Sequence, residues 1–149
     1  MTRGEVAERH PLAASLDLAP HPEGGWYRRT YASPVDLTLP DGRVRPAATM
    51  ILFLLPAGES SAWHRVASDE TWVAQQGSVV LELAGDADVP GPVDRHVLGL
   101  DLAAGEQPQV LVPASVWQRT VPAGQDALVS CVVSPGFDFD DFELVPEQA

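Results

Sequence analysis

The chain has 149 residues and a formal net charge of −12, and its nine basic residues are all arginine. Without lysine there is no amine for Schiff-base or pyridoxal-phosphate chemistry. With no basic stripe, nucleic acid and anionic membranes are excluded as expected partners.

A length of this kind corresponds to one domain, read as residues 1–149 with a core over about 20–144, burying roughly two-thirds of its unfolded surface. No run approaches the ~18 apolar residues of a membrane helix, and Met1-Thr-Arg-Gly-Glu5 has no apolar signal core behind it. The expected location is therefore the cytoplasm. Cys131 is the single cysteine, set in the apolar run Leu128–Val133, where a thiol packs as a small hydrophobe.

In chain order, Pro11-Leu-Ala-Ala-Ser-Leu16 carries a proline suited to a first helical position and leucines four apart, which predicts a short helix. Pro20–Gly25 breaks it, and Trp26–Tyr31 alternates as a strand. Residues 33–46, with Asp41-Gly42, read as a hairpin or loop. Thr49–Leu55 is continuously apolar and stopped by Pro56, which predicts a strand buried on both faces. Further strands are expected at about 61–65, 70–74, 78–84, 95–98, 109–112, 117–121 and 127–134, each bounded by Gly or Pro turns. Short strands at this spacing predict an all-β sandwich or barrel. The acidic residues from Asp138 to Glu147 read as a solvated tail end, with Phe137, Phe139 and Phe142 pinning the segment.

One stretch organises the chemistry. Gly58-Glu-Ser-Ser-Ala-Trp-His64-Arg-Val66 is followed by Glu70 and Gly77. In strands, His64 and Val66 face the same way, and Glu70 can join them from the next strand.

These landmarks resemble the first cupin motif, with Val66 where the family has a second histidine. Pro113-Ala-Ser-Val-Trp117-Gln118 resembles the second motif, with Gln118 at the histidine position. Pro20-His-Pro-Glu23-Gly-Gly25-Trp-Tyr-Arg28, His64-Arg65…Glu70, Trp117-Gln118 and Pro135–Phe142 together resemble one cupin subfamily of unknown function. The resemblance implies a double-stranded β-helix, or jelly roll, and a homodimer in which strand 26–31 pairs with a partner's edge.

Matched to the family's metal ligands, the chain offers His64, Val66, Glu70 and Gln118. Valine cannot ligate, and an amide oxygen is a poor ligand for metals that favour imidazole. The expectation is no cofactor; a divalent metal would have to use the reduced set His64, Glu70 and Gln118. The retained pair instead predicts a metal-independent isomerase, epimerase or lyase in which His64 is the base and Glu70 orients it. This would resemble the sugar-nucleotide epimerases of the same architecture. Gln118, Trp72, Val66 and Glu23 are expected to contact a small-molecule substrate. Trp72 is placed as a pocket wall because it shares the parity of Glu70, and Glu23 at the mouth or in the turn that Gly24 and Gly25 permit. Trp63 and Trp117 should pack on the opposite face, Arg65 should form an outer salt bridge, and His10 and His21 should lie on the surface or in loops. The alternative readings are a non-catalytic metabolite-binding or sensing cupin and a weakly metal-binding dioxygenase or isomerase.

Overall fold

The computed structural model describes residues 9–146. Helix α1 (Pro11–Ser15) begins as its sequence dictates: proline occupies the first turn, and the His10 side chain accepts from the Leu12 N–H. At five residues it has little intrinsic stability, so packing holds it. Ala13 and Leu18 bury against Leu54. Two polar anchors add to this: Arg28 Nε donates to the Leu16 carbonyl at 2.8 Å, and His10 Nε2 lies 2.9 Å from Asp126 Oδ2.

Thirteen strands follow among the described residues: β1 (Ala19–Pro20), β2 (Trp26–Ala32), β3 (Asp36–Thr38), β4 (Val44–Pro46), β5 (Thr49–Leu55), β6 (His64–Val66), β7 (Asp69–Gln76), β8 (Val79–Leu83), β9 (Asp94–Leu98), β10 (Gln109–Val112), β11 (Gln118–Val121), β12 (Ala127–Ser134) and β13 (Phe142–Leu144). One sheet runs β1-β2-β5-β12-β7-β10 and the other β13-β6-β11-β8-β9, with β3-β4 as a separate hairpin. All named strand pairs are antiparallel, and together the two sheets make the expected jelly roll. The alternation in β12, with Ala127, Val129, Cys131 and Val133 buried, shows which residues turn inward.

Phe53, Trp72, Leu81, Leu98, Val110 and Val129 close one half of the barrel as its core. Each such side chain contributes ~1.5–3 kcal/mol relative to exposure. The other half stays open and holds the polar residues. None of the described helices is long and apolar enough to cross a membrane.

Two differences from the sequence expectations arise from long-range pairing. Residues 61–63 precede β6 rather than forming part of it. The acidic segment is not a solvated tail throughout. Asp141 has a side chain 5% exposed and binds both Arg43 and Arg45 of the β3–β4 hairpin at 2.8 Å. Those arginines hold its carboxyl below the usual range against the opposing effect of desolvation. A local charge count cannot see that a hairpin 96 residues away supplies the partners.

Candidate acid–base site

A cavity of about 480 Å³ occupies the open half of the barrel. Its floor is built from inward positions of successive strands. Thr49, Val133 and Glu70 lie on one rung, and Ile51, Cys131 and Trp72 on the next. His64 and Val66 enter from β6 in the facing sheet. Of these, all but Trp72 line the cavity: Thr49, Ile51, His64, Val66, Glu70, Cys131 and Val133.

Glu23 comes from outside the strands, in the turn between β1 and β2. The His21 N–H donates to the Gly25 carbonyl and the Gly24 N–H to that of His21, closing the turn on itself. Gly24 and Gly25 have φ of 108° and 75°, the region that side chains disfavour. A Cβ on Gly24 would also strike the Ser60 carbonyl oxygen. Close approach has a purpose here, because the Ala62 N–H donates to the Glu23 carbonyl at 2.7 Å. Gly24→Ala is expected to cost at least ~2 kcal/mol, combining forbidden φ with a backbone clash, and to lower the urea midpoint accordingly. An unchanged midpoint would show that the turn is not tightly held.

His64 sits at the centre. Its Nδ1 donates to the Ala62 carbonyl at 2.7 Å, and its Nε2 lies 2.9 Å from Glu23 Oε2. Their side chains are 2% and 9% exposed. Although that contact is ion-pair close, Oε2 receives no aligned hydrogen bond among the described residues and is a buried acceptor without a donor. Burial opposes charge on the imidazole. The Glu23 carboxylate, with help from Glu70 and the Ala62 carbonyl, outweighs it and raises the pKa to about 9. At neutral pH His64 is therefore an imidazolium, its Nδ1 bonded to the Ala62 carbonyl and its Nε2 set against the Glu23 carboxylate by charge.

Glu70 does not contact His64 as an ion pair among the described residues; the carboxylate that does so is Glu23. Glu70 Oε1 instead accepts from Gln118 Nε2 at 2.8 Å. Burial pushes its pKa up, with the His64 charge opposing. Behind it, Gln118 Oε1 accepts from the Trp72 indole N–H at 2.9 Å. An indole can only donate, so it fixes the amide with its oxygen toward Trp72 and its nitrogen toward Glu70. Neither Gln118 nor Trp72, both expected to contact substrate, is among the residues that line the cavity. Parity puts both on the inner face, but Trp72 turns its ring edge-on against Phe53 at 5.8 Å and fills the closed half. Val66 and Glu23 do line the cavity.

The cavity position of His21 was not anticipated from the sequence. This residue is in a loop as expected, yet its side chain is 4% exposed and lines the cavity. Its Nδ1 accepts from the Glu23 N–H at 3.1 Å. Burial lowers its pKa, with Glu23 opposing and His64 adding to the fall. The neutral ring therefore carries its proton on Nε2. The available signal was position: His21 stands two residues before Glu23 in the Gly-Gly turn. Cys131 also reaches the cavity, but burial and the nearby carboxylates push its thiol well above the usual value, so it stays neutral.

Outside the cavity, Arg65 pairs with Glu143 at 3.1 Å and lies over the Trp117 ring, the outer-face role expected of it. Trp63 is covered by Arg119 at 4.6 Å.

At the positions of the family's metal ligands, His64 and Glu70 are present and the other two are replaced. Val66 supplies no ligand, and both ends of the Gln118 amide are committed. Among the described residues no group of three or more His, Cys, Asp or Glu is arranged to hold one.

A jelly roll with His64 and Gln118 on neighbouring strands of one sheet and Glu70 reaching Gln118 from the other has the arrangement of a cupin. The chain belongs to the family described as Cupin superfamily (DUF985), whose model matches residues 10–145. A hypothetical protein from Leishmania major is similar at 32% identity, over 89% of this chain and 84% of its own, with a TM-score of 0.81. A protein from Shewanella oneidensis has 40% identity over 90% of this chain and 82% of its own, with a TM-score of 0.79. A Cupin 2 conserved barrel domain protein from Salinispora arenicola shares the fold at 17% identity and a TM-score of 0.56, covering 85% of this chain and 87% of its own. No curated protein matches the chain.

Proposed function

We propose that this cupin is a metal-independent acid–base protein that moves a proton on a bound small molecule, as an isomerase, epimerase or lyase does. The observation that carries this reading is the buried Glu23 Oε2, an acceptor without a donor, set 2.9 Å from the His64 imidazolium at the cavity wall. An imidazolium cannot accept a proton, so the base is Glu23, and His64 takes the supporting role of stabilising its charge. A C–H beside a carbonyl gives its proton to Oε2, and the electron pair moves onto the carbonyl oxygen. The His21 Nε2–H donates to that oxygen, and return of the proton to carbon completes an isomerisation without any redox partner. Glu70, oriented by Gln118, is the second carboxyl able to return it.

The test is a metabolite screen by thermal melting, followed by NMR of each hit in heavy water. Deuterium should enter at carbon, and Glu23→Gln should slow its entry by about 10²–10⁴-fold. Exchange at the wild-type rate in that variant would end the assignment. The buried His64–Glu23 charge pair, which holds both groups in place without a substrate, favours a second reading, a non-catalytic metabolite-binding or sensing cupin. Ligands that melt-stabilise the protein yet never exchange would select it.

Homodimer formation belongs to the same proposal. β1 covers β2 only opposite Trp26 and Tyr27, which leaves the outer edge of Arg28–Ala32 available to a second copy. A monomer in sedimentation equilibrium at micromolar concentration would remove it.

A further inference from the structure

The cavity's own donors, acceptors and charges define the ligand it would take. At its floor the unfilled position is an acceptor, Glu23 Oε2, beside the His21 ring. The buried His64 imidazolium is already compensated in charge: Nδ1 serves the Ala62 carbonyl, and Nε2 stands 2.9 Å from the Glu23 carboxylate without an aligned hydrogen bond to it. Arg29 is the single guanidinium among the lining residues, and Asp138 shares that wall with it. One of its N–H groups is already committed to the Phe137 carbonyl at 2.8 Å. A carboxylate or phosphate entering the floor would meet two carboxylates, Glu23 and Glu70, against one imidazolium, and the remaining N–H groups of Arg29 share their wall with Asp138, so little net positive charge offsets its desolvation.

Above the floor the walls are aromatic. Phe137 and Phe139 pack edge to face at 4.9 Å, and Phe139 and Phe142 at 5.9 Å. The His21 ring stands 6.0 Å from Phe139 and 5.9 Å from Phe142. Phe139 remains 46% exposed, a large apolar face at the cavity that a ligand would cover. The volume of about 480 Å³ falls in the usual range for small-molecule sites.

We propose that this cavity selects a small aromatic molecule with an uncharged or cationic N–H or O–H donor head, and discriminates against carboxylates and phosphates. The head fills Glu23 Oε2, and the ring lies among Phe137, Phe139 and Phe142. This rests on the acid–base reading for the location of the site, but ligand class and turnover are separable. It also sets the site apart from that of an enzyme acting on sugar nucleotides, whose phosphates need cations at depth.

Three probes of one shape test it on the full chain by NMR titration: benzamide, benzylamine and benzoate. Benzamide and benzylamine should shift the His21 and Phe142 resonances and bind at least about tenfold more tightly than benzoate, the value of a charge-assisted hydrogen bond. Phe139→Ala, a change at the exposed rim, should weaken both donor probes several-fold. Glu23→Gln should weaken them about tenfold and leave benzoate no weaker. If that variant fails to fold, the wild-type ranking and Phe139→Ala decide the matter. Benzoate binding as tightly as benzamide, or donor probes that leave Phe142 unshifted, overturns the proposal. Selective donor binding without carbon exchange in any ligand upholds it while removing the acid–base reading.

Discussion

In the Glu23→Gln variant, His64 is expected to titrate far below the value of about 9 that it has beside the carboxylate. Burial by itself lowers an imidazole's pKa, and removing the Glu23 charge takes away the largest effect that opposes it. The consequence for stability follows from linkage. A group whose folded pKa is raised stabilises the fold fully below its unfolded value, ~6.5, and loses that contribution as pH rises through the folded value. For wild-type His64 the window runs from the ordinary histidine value of 6.5 up to about 9. A difference of that size is worth on the order of 3 kcal/mol. The wild type should therefore exceed the variant most at mildly acidic pH, and the gap should shrink by about that amount above pH 9. For a chain of this length it corresponds to roughly 10 °C in melting temperature. Urea unfolding of both proteins across this range, with imidazole NMR to follow His64, measures it. A His64 titration unchanged by the substitution would show that Glu23 is not its partner.

Rebuilding the family's missing ligands should have the second large effect. In the Val66→His, Gln118→His double variant, two imidazoles join His64 and Glu70 at the cavity floor. Val66 already faces the cavity, and Gln118 pairs directly across from His64 in the register of β11 and β6. Losing one outer partner alone changes metal affinity ~10–100-fold, so two added ligands should raise zinc or nickel affinity by at least about 100-fold. Calorimetric titration with zinc compares the two proteins. The gain comes with a stability cost, because the Trp72 indole and one Glu70 oxygen lose their Gln118 partner. A wild type that binds zinc as tightly as the rebuilt protein would contradict both this prediction and the metal-free reading of the site.

His64 and Glu70 were readable from spacing, because alternation in strands fixes the face of each residue once the strand is placed, and Gln118 came from the resemblance to the second cupin motif. β5, β10 and β12 were legible for the same reason, being short apolar or alternating runs bounded by Gly and Pro. Parity could not say how deep along the barrel a side chain would lie. Trp72 and Glu70 share a face, but only the ring's turn toward Phe53 makes one core and leaves the other at the cavity. The identity of the imidazole's partner was equally hidden, since Glu23 stands 41 positions before His64 in the sequence.

By itself, then, the sequence determined the β-architecture, the family, the loss of two metal ligands and the presence of an inward histidine and carboxylate. These are consequences of local periodicity and residue chemistry, which act over a few positions. The tertiary structure decided that Glu23 rather than Glu70 holds the imidazole, that His21 joins the cavity, and that Asp141 is buried between two arginines. Charge state depends on what lies within a few ångströms in space, and a fold brings together groups that the chain keeps far apart.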